Sequence, residues 1–236
     1  MGLHLYESEN VGIEGLIITK DEKTGSATIS IDSNGMNSII VVPGAASGLT
    51  NEMVDQKSNL FKDSSILLTG LEIPLDVARY SLKMAKSKNL KTILNPAPYF
   101  NINYETYKFV DYLTPNEHEA SALTNIDIKT VDDARIAGRK ICELGVGTSI
   151  ITMGEKGVLC TRNSLDNEGL HLPSNKLKDP VIDTVGAGDV FNGAFATAIS
   201  EGVNLEESLL FANKAASISV TKNGAALSSP YRDQIK

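Results

Sequence analysis

The apolar positions change their spacing along the chain, and the changes mark the elements. Residues 26 to 31 and 37 to 43 are β-branched or apolar at Thr28, Ile29 and Ile31, then at Ile39 to Val42, with Ser33-Asn34-Gly35 between them. That pattern predicts a β-hairpin. Pro43-Gly44-Ala45-Ala46 breaks it. Before the hairpin, residues 1 to 16 are ambiguous, and Leu3, Leu5 and Tyr6 suit a short helix ending near Asn10. From residue 50 strands and helices alternate. Thr50 caps a helix running to about Lys62, and a buried strand follows at 66 to 69. Pro74 opens a helix whose Leu75, Ala78, Leu82 and Ala85 form one apolar stripe. A strand at 92 to 94 stops at Asn95-Pro96-Ala97-Pro98, before a helix at 103 to 109 and a strand at 111 to 114. Thr130 and Asp133 make a capping-box start. The helix they open carries Ala134, Ala137, Ile141 and Leu144 on one face, and Gly145 ends it. Strands 149 to 152 and 157 to 160 flank a turn at 154 to 156. A polar loop at 162 to 180 holds a short strand near His171, and helices at 187 to 200 and 205 to 221 close the chain.

Strand–helix alternation from residue 65 onward predicts an α/β protein with a doubly wound, mostly parallel sheet and helices on both faces. Ligands in such folds bind beyond the C-terminal strand ends. The early hairpin does not fit the alternation. It divides the chain into a lid-like segment, 1 to 48, and an α/β segment, 49 to 236, in which such a ligand site would lie.

Composition narrows the partners. The 236 residues suffice for one large core or two small ones, and a net charge of −7 argues against nucleic acid and anionic membrane as partners. Two cysteines, Cys142 and Cys160, fit a reducing compartment better than a disulfide framework, and Cys142 suits packing. No apolar run reaches a membrane span. A cytoplasmic location is expected, with the nucleus open. His4, His118 and His171 lack metal-ligand spacing and read as surface residues.

The richest chemistry lies in residues 183 to 195, Asp-Thr-Val-Gly-Ala-Gly-Asp-Val-Phe-Asn-Gly-Ala-Phe. Val190, Ala194 and Ala198 recur at helical spacing beside Phe191, Phe195 and Ile199. Gly186 and Gly188 are expected to adopt backbone angles that other residues resist. The helix after them starts with unpaired amides and a positive dipole end, a site for phosphate. Asp189 is out of place in an anion site unless it takes a proton. Phosphoryl transfer needs both parts, dipoles from Gly186, Ala187 and Gly188 and a base in Asp189. The same tetrad is equally an ordinary helix start with an acid in its first turn. Asn116 and Glu119 present a similar choice. One turn places them on one face, suited to holding magnesium through water, though taken alone the pair reads first as a plain helix cap with a capping-box Glu.

The longer string 183 to 189, with Phe191 and Gly193, resembles the C-terminal signature of the ribokinase (PfkB-type) carbohydrate kinases. The resemblance covers the chain from about residue 12 to its end. It implies that Asp189 is the base and that the Gly186–Gly188 turn stabilises the transferred phosphate. It implies that Asn116 and Glu119 organise Mg2+ and phosphate, and that Glu72, in Gly70-Leu71-Glu72-Ile73-Pro74, accepts from a sugar hydroxyl. Thr152, Met153, Gly154, Glu155, Lys156 and Gly157, with Asn213, are implied to line the ATP site. Asp183, Val185, Ser219, Lys222, Gly224 and Ser228 are implied to bind K+, mostly through carbonyls.

On this resemblance the expected activity is ATP-dependent phosphorylation of a small sugar at a primary hydroxyl, D-ribose giving ribose 5-phosphate. Another family kinase, for adenosine, fructose or a further sugar, stays open. So does a catalytically silent nucleotide-binding fragment. A nicotinamide-binding protein fits poorly, because the glycine turn comes late in the chain. The family's sugar-binding Asp and Gly-Gly segment, which lie toward its N-terminus, have no match here. The chain is therefore expected to be a truncated form with an exposed sheet edge. The segment Pro43 to Ser47 has Ala46 and Ser47 where the family has an Asn, which bears on lid closure and sugar preference. A homodimer through the hairpin is left open.

Overall fold

The computed structural model describes residues 2–31, 37–177 and 179–235. A short helix α1 (Gly2–Ser8) precedes the hairpin strands β1 (Thr24–Ile31) and β2 (Asn37–Gly44). Then come α2 (Asn51–Gln56), β3 (Ile66–Thr69), α3 (Leu75–Ser87), β4 (Lys91–Leu94), β5 (Tyr112–Leu113), α4 (Glu117–Thr124) and α5 (Val131–Glu143). The chain ends with β6 (Thr148–Thr152), β7 (Val158–Thr161), β8 (Leu170–Leu172), α6 (Ala187–Ser200) and α7 (Leu205–Ser219). Strands β3 to β8 form a six-stranded sheet in chain order. The four strands from β3 to β6 run parallel; β7 pairs antiparallel with β6, and β8 antiparallel with β7.

Neighbouring residues on the central strands enter opposite cores, as the two-residue period of a strand requires. Leu94, Ile151 and Leu159 pack with Ala78 and Leu82 of α3, Ala120 of α4 and Ala134, Ala137 and Ile141 of α5. Ile93, Ile150, Val158 and Cys160 pack with Phe191 and Phe195 of α6 and Leu209 and Ala212 of α7. Tyr112 meets Phe195 edge to face at 5.2 Å. Helices thus cover both faces, and the expected doubly wound, mostly parallel architecture is the one found. Burial also explains why these strands carry continuous apolar runs.

Several local expectations need correction. Thr50 does cap α2, accepting from the Met53 amide, but the helix stops at Gln56 and a 3-10 turn, Ser58–Phe61, replaces its last part. Pro74 is the residue before α3 and is extended, not helical. Leu75 is exposed, and the buried stripe of α3 is Val77, Ala78, Ser81, Leu82 and Ala85. The expected helix at 103 to 109 is the 3-10 segment Tyr104–Phe109. The capping box of Thr130 and Asp133 and the positive φ of Gly145 are both present.

The hairpin is a separate antiparallel sheet, Thr24 opposite Gly44 and Thr28 opposite Ile40. Its expected turn at Ser33-Asn34-Gly35 lies outside the described residues. Ile40, Val41 and Val42 are each more than half exposed, on both faces of the strand. In the large sheet β3 is an edge strand, and its Leu68 is exposed. Among the described residues no helix is long and apolar enough to cross a membrane.

Candidate active site

Two helices begin at one end of the large sheet and begin differently. Helix α4 opens with Asn116, whose side chain accepts from the Glu119 amide at 2.9 Å while Glu119 Oε2 accepts from the Asn116 amide at 2.9 Å. Helix α6 opens with Gly186 and has no side-chain cap. Gly186 has φ +78°, and a Cβ there would lie 3.0 Å from Ala225, so both backbone and space demand glycine. Gly188 differs from expectation. It lies inside α6 without a positive φ, and a Cβ on it would meet nothing within 4 Å beyond its chain neighbours and its own helix backbone. The Ala187 amide donates to the Thr184 carbonyl at 3.3 Å and the Val190 amide to the Gly186 carbonyl at 2.9 Å. Among the described residues, the Gly188 and Asp189 amides find no acceptor.

A cavity lies on either side of this turn. One, of about 280 Å³, is lined by Thr152, Gly154, Glu155, Gly157, Gly188 and Asn213, six of the expected nucleotide-site residues. The other, of about 570 Å³, runs between α6, α7 and the C-terminal segment, and is lined by Gly186, Asp189, Val190, Gly193, Phe211 and Arg232. The turn is thus shared, with Gly188 facing the first space and Asp189 the second. Val190 and Ala194, expected as part of an apolar stripe, line this second cavity, and the buried face of α6 is Phe191, Asn192, Phe195 and Ala198. Asp189 is open to this second cavity, yet the protein around its carboxyl penalises the charged form and raises its pKa above the usual aspartate value.

The remaining expected residues have definite places. Met153 is buried, and its amide closes the turn by donating to the Gly157 carbonyl at 2.8 Å. Lys156 Nζ pairs with Glu117 Oε1 at 2.6 Å, pinning the same turn to α4. Gly157 has φ +88°, and a Cβ there would strike the Leu172 carbonyl oxygen at 2.1 Å. Asn213 Nδ2 donates to the Pro173 carbonyl at 2.9 Å, tying α7 to the cavity's far wall. Asn116 bridges Thr152 in parallel, which sets the α4 cap beside that wall. Glu72 is exposed on the loop after β3 and lines neither cavity.

The expected cation loop is assembled around Asp183. Its Oδ1 accepts from the Val185 amide and its Oδ2 from the Gly224 amide, both at 3.0 Å, which holds its pKa below the usual value. The Ile182 and Asp183 amides both donate to the Val220 carbonyl, and Ser228 Oγ donates to the Ala225 carbonyl. Residues 183 to 185 therefore lie against 219 to 228. The set is hard oxygen, as an alkali cation requires. Among the described residues no cluster of three His, Cys, Asp or Glu side chains is placed to hold a metal ion. For magnesium the fit is limited to one residue. Glu119 commits one oxygen to the cap and keeps the other, which suits contact through water, and burial raises its pKa.

Two residues escaped the sequence reading. Asn192 and Thr114 are buried polar side chains joined by a hydrogen bond between α6 and the end of β5. The available signal was an amide side chain on the helix face that carries Phe191 and Phe195.

Comparison with known proteins agrees with this fold. The model of the pfkB family carbohydrate kinases matches residues 3–232. A ribokinase of Haemophilus influenzae is 34% identical over 231 residues, covering 97% of this chain and 73% of its own length. The crystal structure of a ribokinase from Thermotoga maritima superposes with a TM-score of 0.82 at 43% identity, over 99% of this chain and 75% of that one. An Arabidopsis thaliana ribokinase complexed with ribose and ATP gives a TM-score of 0.83 at 33% identity, over 91% of this chain and 69% of its own. This agreement along almost the whole chain leads to one conclusion: the chain belongs to the pfkB family of carbohydrate kinases.

Proposed function

We propose that this chain transfers the terminal phosphoryl group of ATP to a primary hydroxyl of a small sugar, with D-ribose giving ribose 5-phosphate. One observation carries the reading. The first turn of α6 presents unpaired amides and a glycine with open space beside it to one cavity, and a carboxyl to the other. Nothing in the protein's own packing requires glycine at 188, and the open space beside it lets a ligand approach the backbone closely. The ATP phosphates lie against the Gly186–Gly188 turn, with the base side toward Gly154, Gly157 and Asn213. The sugar hydroxyl approaches Asp189, which takes its proton, a contribution of about 10² to 10⁴ in rate. The unpaired Gly188 and Asp189 amides receive the charge that develops on the moving group. Magnesium neutralises phosphate charge when bound, and Glu119 with Asn116 would hold it through water. Asp183, Val185, Ser219, Lys222, Gly224 and Ser228 would hold potassium, keeping the loop under Gly186 in place. Residues 1 to 48 act as a lid segment and 49 to 236 as the catalytic unit. The exposed Ile40, Val41 and Val42 suit pairing of two hairpins in a homodimer.

A second reading is nucleotide binding without sugar turnover. It draws support from Glu72, which lines neither cavity, and from the exposed edge strand β3. One assay separates the two. Coupled ADP release is measured with ribose, fructose and adenosine, with and without potassium, beside ATP binding by calorimetry. Ribose-dependent ADP release, raised by potassium, is expected. ATP binding without release for any acceptor would select the second reading.

A further inference from the structure

Asn192 and Thr114 are 5% and 3% exposed, the polar exceptions in the contact between α6 and the sheet. Thr114 Oγ1 donates to Asn192 Oδ1 at 2.7 Å, and Asn192 Nδ2 donates to the Gly188 carbonyl at 2.9 Å. In a continuous helix the Gly188 carbonyl already receives the backbone amide four residues on, which is that of Asn192 itself. The side-chain bond is thus not needed to satisfy that oxygen. Its effect is directional. A peptide group is planar, so the Gly188 carbonyl and the Asp189 N–H belong to one rigid unit and point opposite ways. Pulling the carbonyl toward Asn192 aims the Asp189 N–H, one of the two unpaired amides of the turn. A second hydrogen bond on the carbonyl also polarises the unit and strengthens its N–H as a donor. The line continues through Thr114 to Asn116, two residues on, where α4 begins.

We propose that the buried Thr114–Asn192 couple is a positioning device, which aims the Gly188–Asp189 peptide at the terminal phosphoryl group and locks that peptide to the strand end carrying Asn116. The proposal deepens the kinase reading and rests on it for the identity of the ligand. Neither side chain lines either cavity, so neither is a catalytic residue. The couple selects for a nucleotide whose last phosphate reaches the turn.

The test uses the full chain and calorimetric affinities for ATP and ADP with magnesium, in native protein, Asn192→Leu, Thr114→Val and the double variant. Asn192→Leu is expected to weaken ATP by about tenfold, the loss of one well-aimed hydrogen bond to a charged group, and ADP by less than about threefold. The double variant replaces both buried polar groups by apolar ones of similar shape. Its melting temperature is expected near the native value, while its ATP preference stays lost. A merely structural role would restore both together. Should Asn192→Leu fail to fold, Thr114→Val reads the same ratio, with an expected loss in ATP of about threefold. An ATP-to-ADP ratio unchanged within twofold, equal losses for both nucleotides, or a native chain that binds no ATP would each overturn the proposal. A native chain that binds ATP but releases no ribose-dependent ADP removes the sugar-kinase reading alone, and the ratio still decides the couple.

Discussion

Helices α4 and α6 start at the same sheet end, yet one is closed and the other is open. At α4 the chain satisfies itself, with Asn116 and Glu119 exchanging hydrogen bonds across the first turn. At α6 a left-handed glycine replaces the cap, and the Gly188 and Asp189 amides are left for something else. With glycine in place of a capping side chain, α6 forgoes on the order of a few tenths of a kcal/mol. The first start is built for the fold, and the second sacrifices local stability for a ligand. The difference teaches where to expect substitutions to move stability and where to expect them to move activity.

The largest separation is expected at Asp189. Asp189→Asn should lower sugar-dependent turnover by about 10² to 10⁴ while ATP binding persists, read by ADP release beside calorimetry. The same substitution should raise stability at neutral pH. The protein around its carboxyl raises the folded-state pKa of Asp189, so its favourable contribution is full below the ordinary aspartate value and is lost as pH rises through the raised one. Thermal melts of both forms should differ at neutral pH and converge in acid. Turnover of the native chain should fall as pH drops through that same raised pKa, because the base is then protonated.

Gly186→Ala comes next. An alanine there must hold a left-handed conformation, at about 1 to 2 kcal/mol, and must also displace Ala225. A chemical melt should show at least that loss, with turnover falling too. Asn116→Ala should cost about 1 kcal/mol through its cap, and should disturb ATP affinity less than magnesium dependence. The smallest stability change, and of opposite sign, is expected at Gly188→Ala. The helix gains up to about 1 kcal/mol, since a Cβ meets no protein atom, while ATP affinity falls as the methyl enters the cavity. If Gly188→Ala left ATP binding intact, the open start of α6 would lose its meaning.

Much of this was legible in the residue order. Thr28 and Ile40 marked the hairpin, Thr130 and Asp133 a capping box, and Ala134, Ala137 and Ile141 a buried stripe, because each rests on contacts a few residues apart or on a short-range period. Gly154 to Lys156 showed as a turn for the same reason. Other positions misled. Leu75 fits the α3 stripe by spacing yet is exposed, since nothing in the described structure packs over it closely enough to bury it. Gly188 resembled Gly186 as a turn residue, but its backbone is helical and only the empty space beside it explains the glycine. Asn192 and Thr114 stayed hidden because their bond spans 78 residues.

By itself the amino-acid sequence determined the alternation of strands and helices, the α6 glycine turn and the acid beside it, since all of these depend on local backbone sterics and spacing. Only the tertiary structure decided that Gly188 and Asp189 face different cavities, that Asn116 closes its helix while Gly186 leaves its own open, and that Glu72 stands apart from both spaces. Those outcomes come from packing two helical layers on one sheet, and the long-range contacts that packing makes have no signature in a single chain of letters.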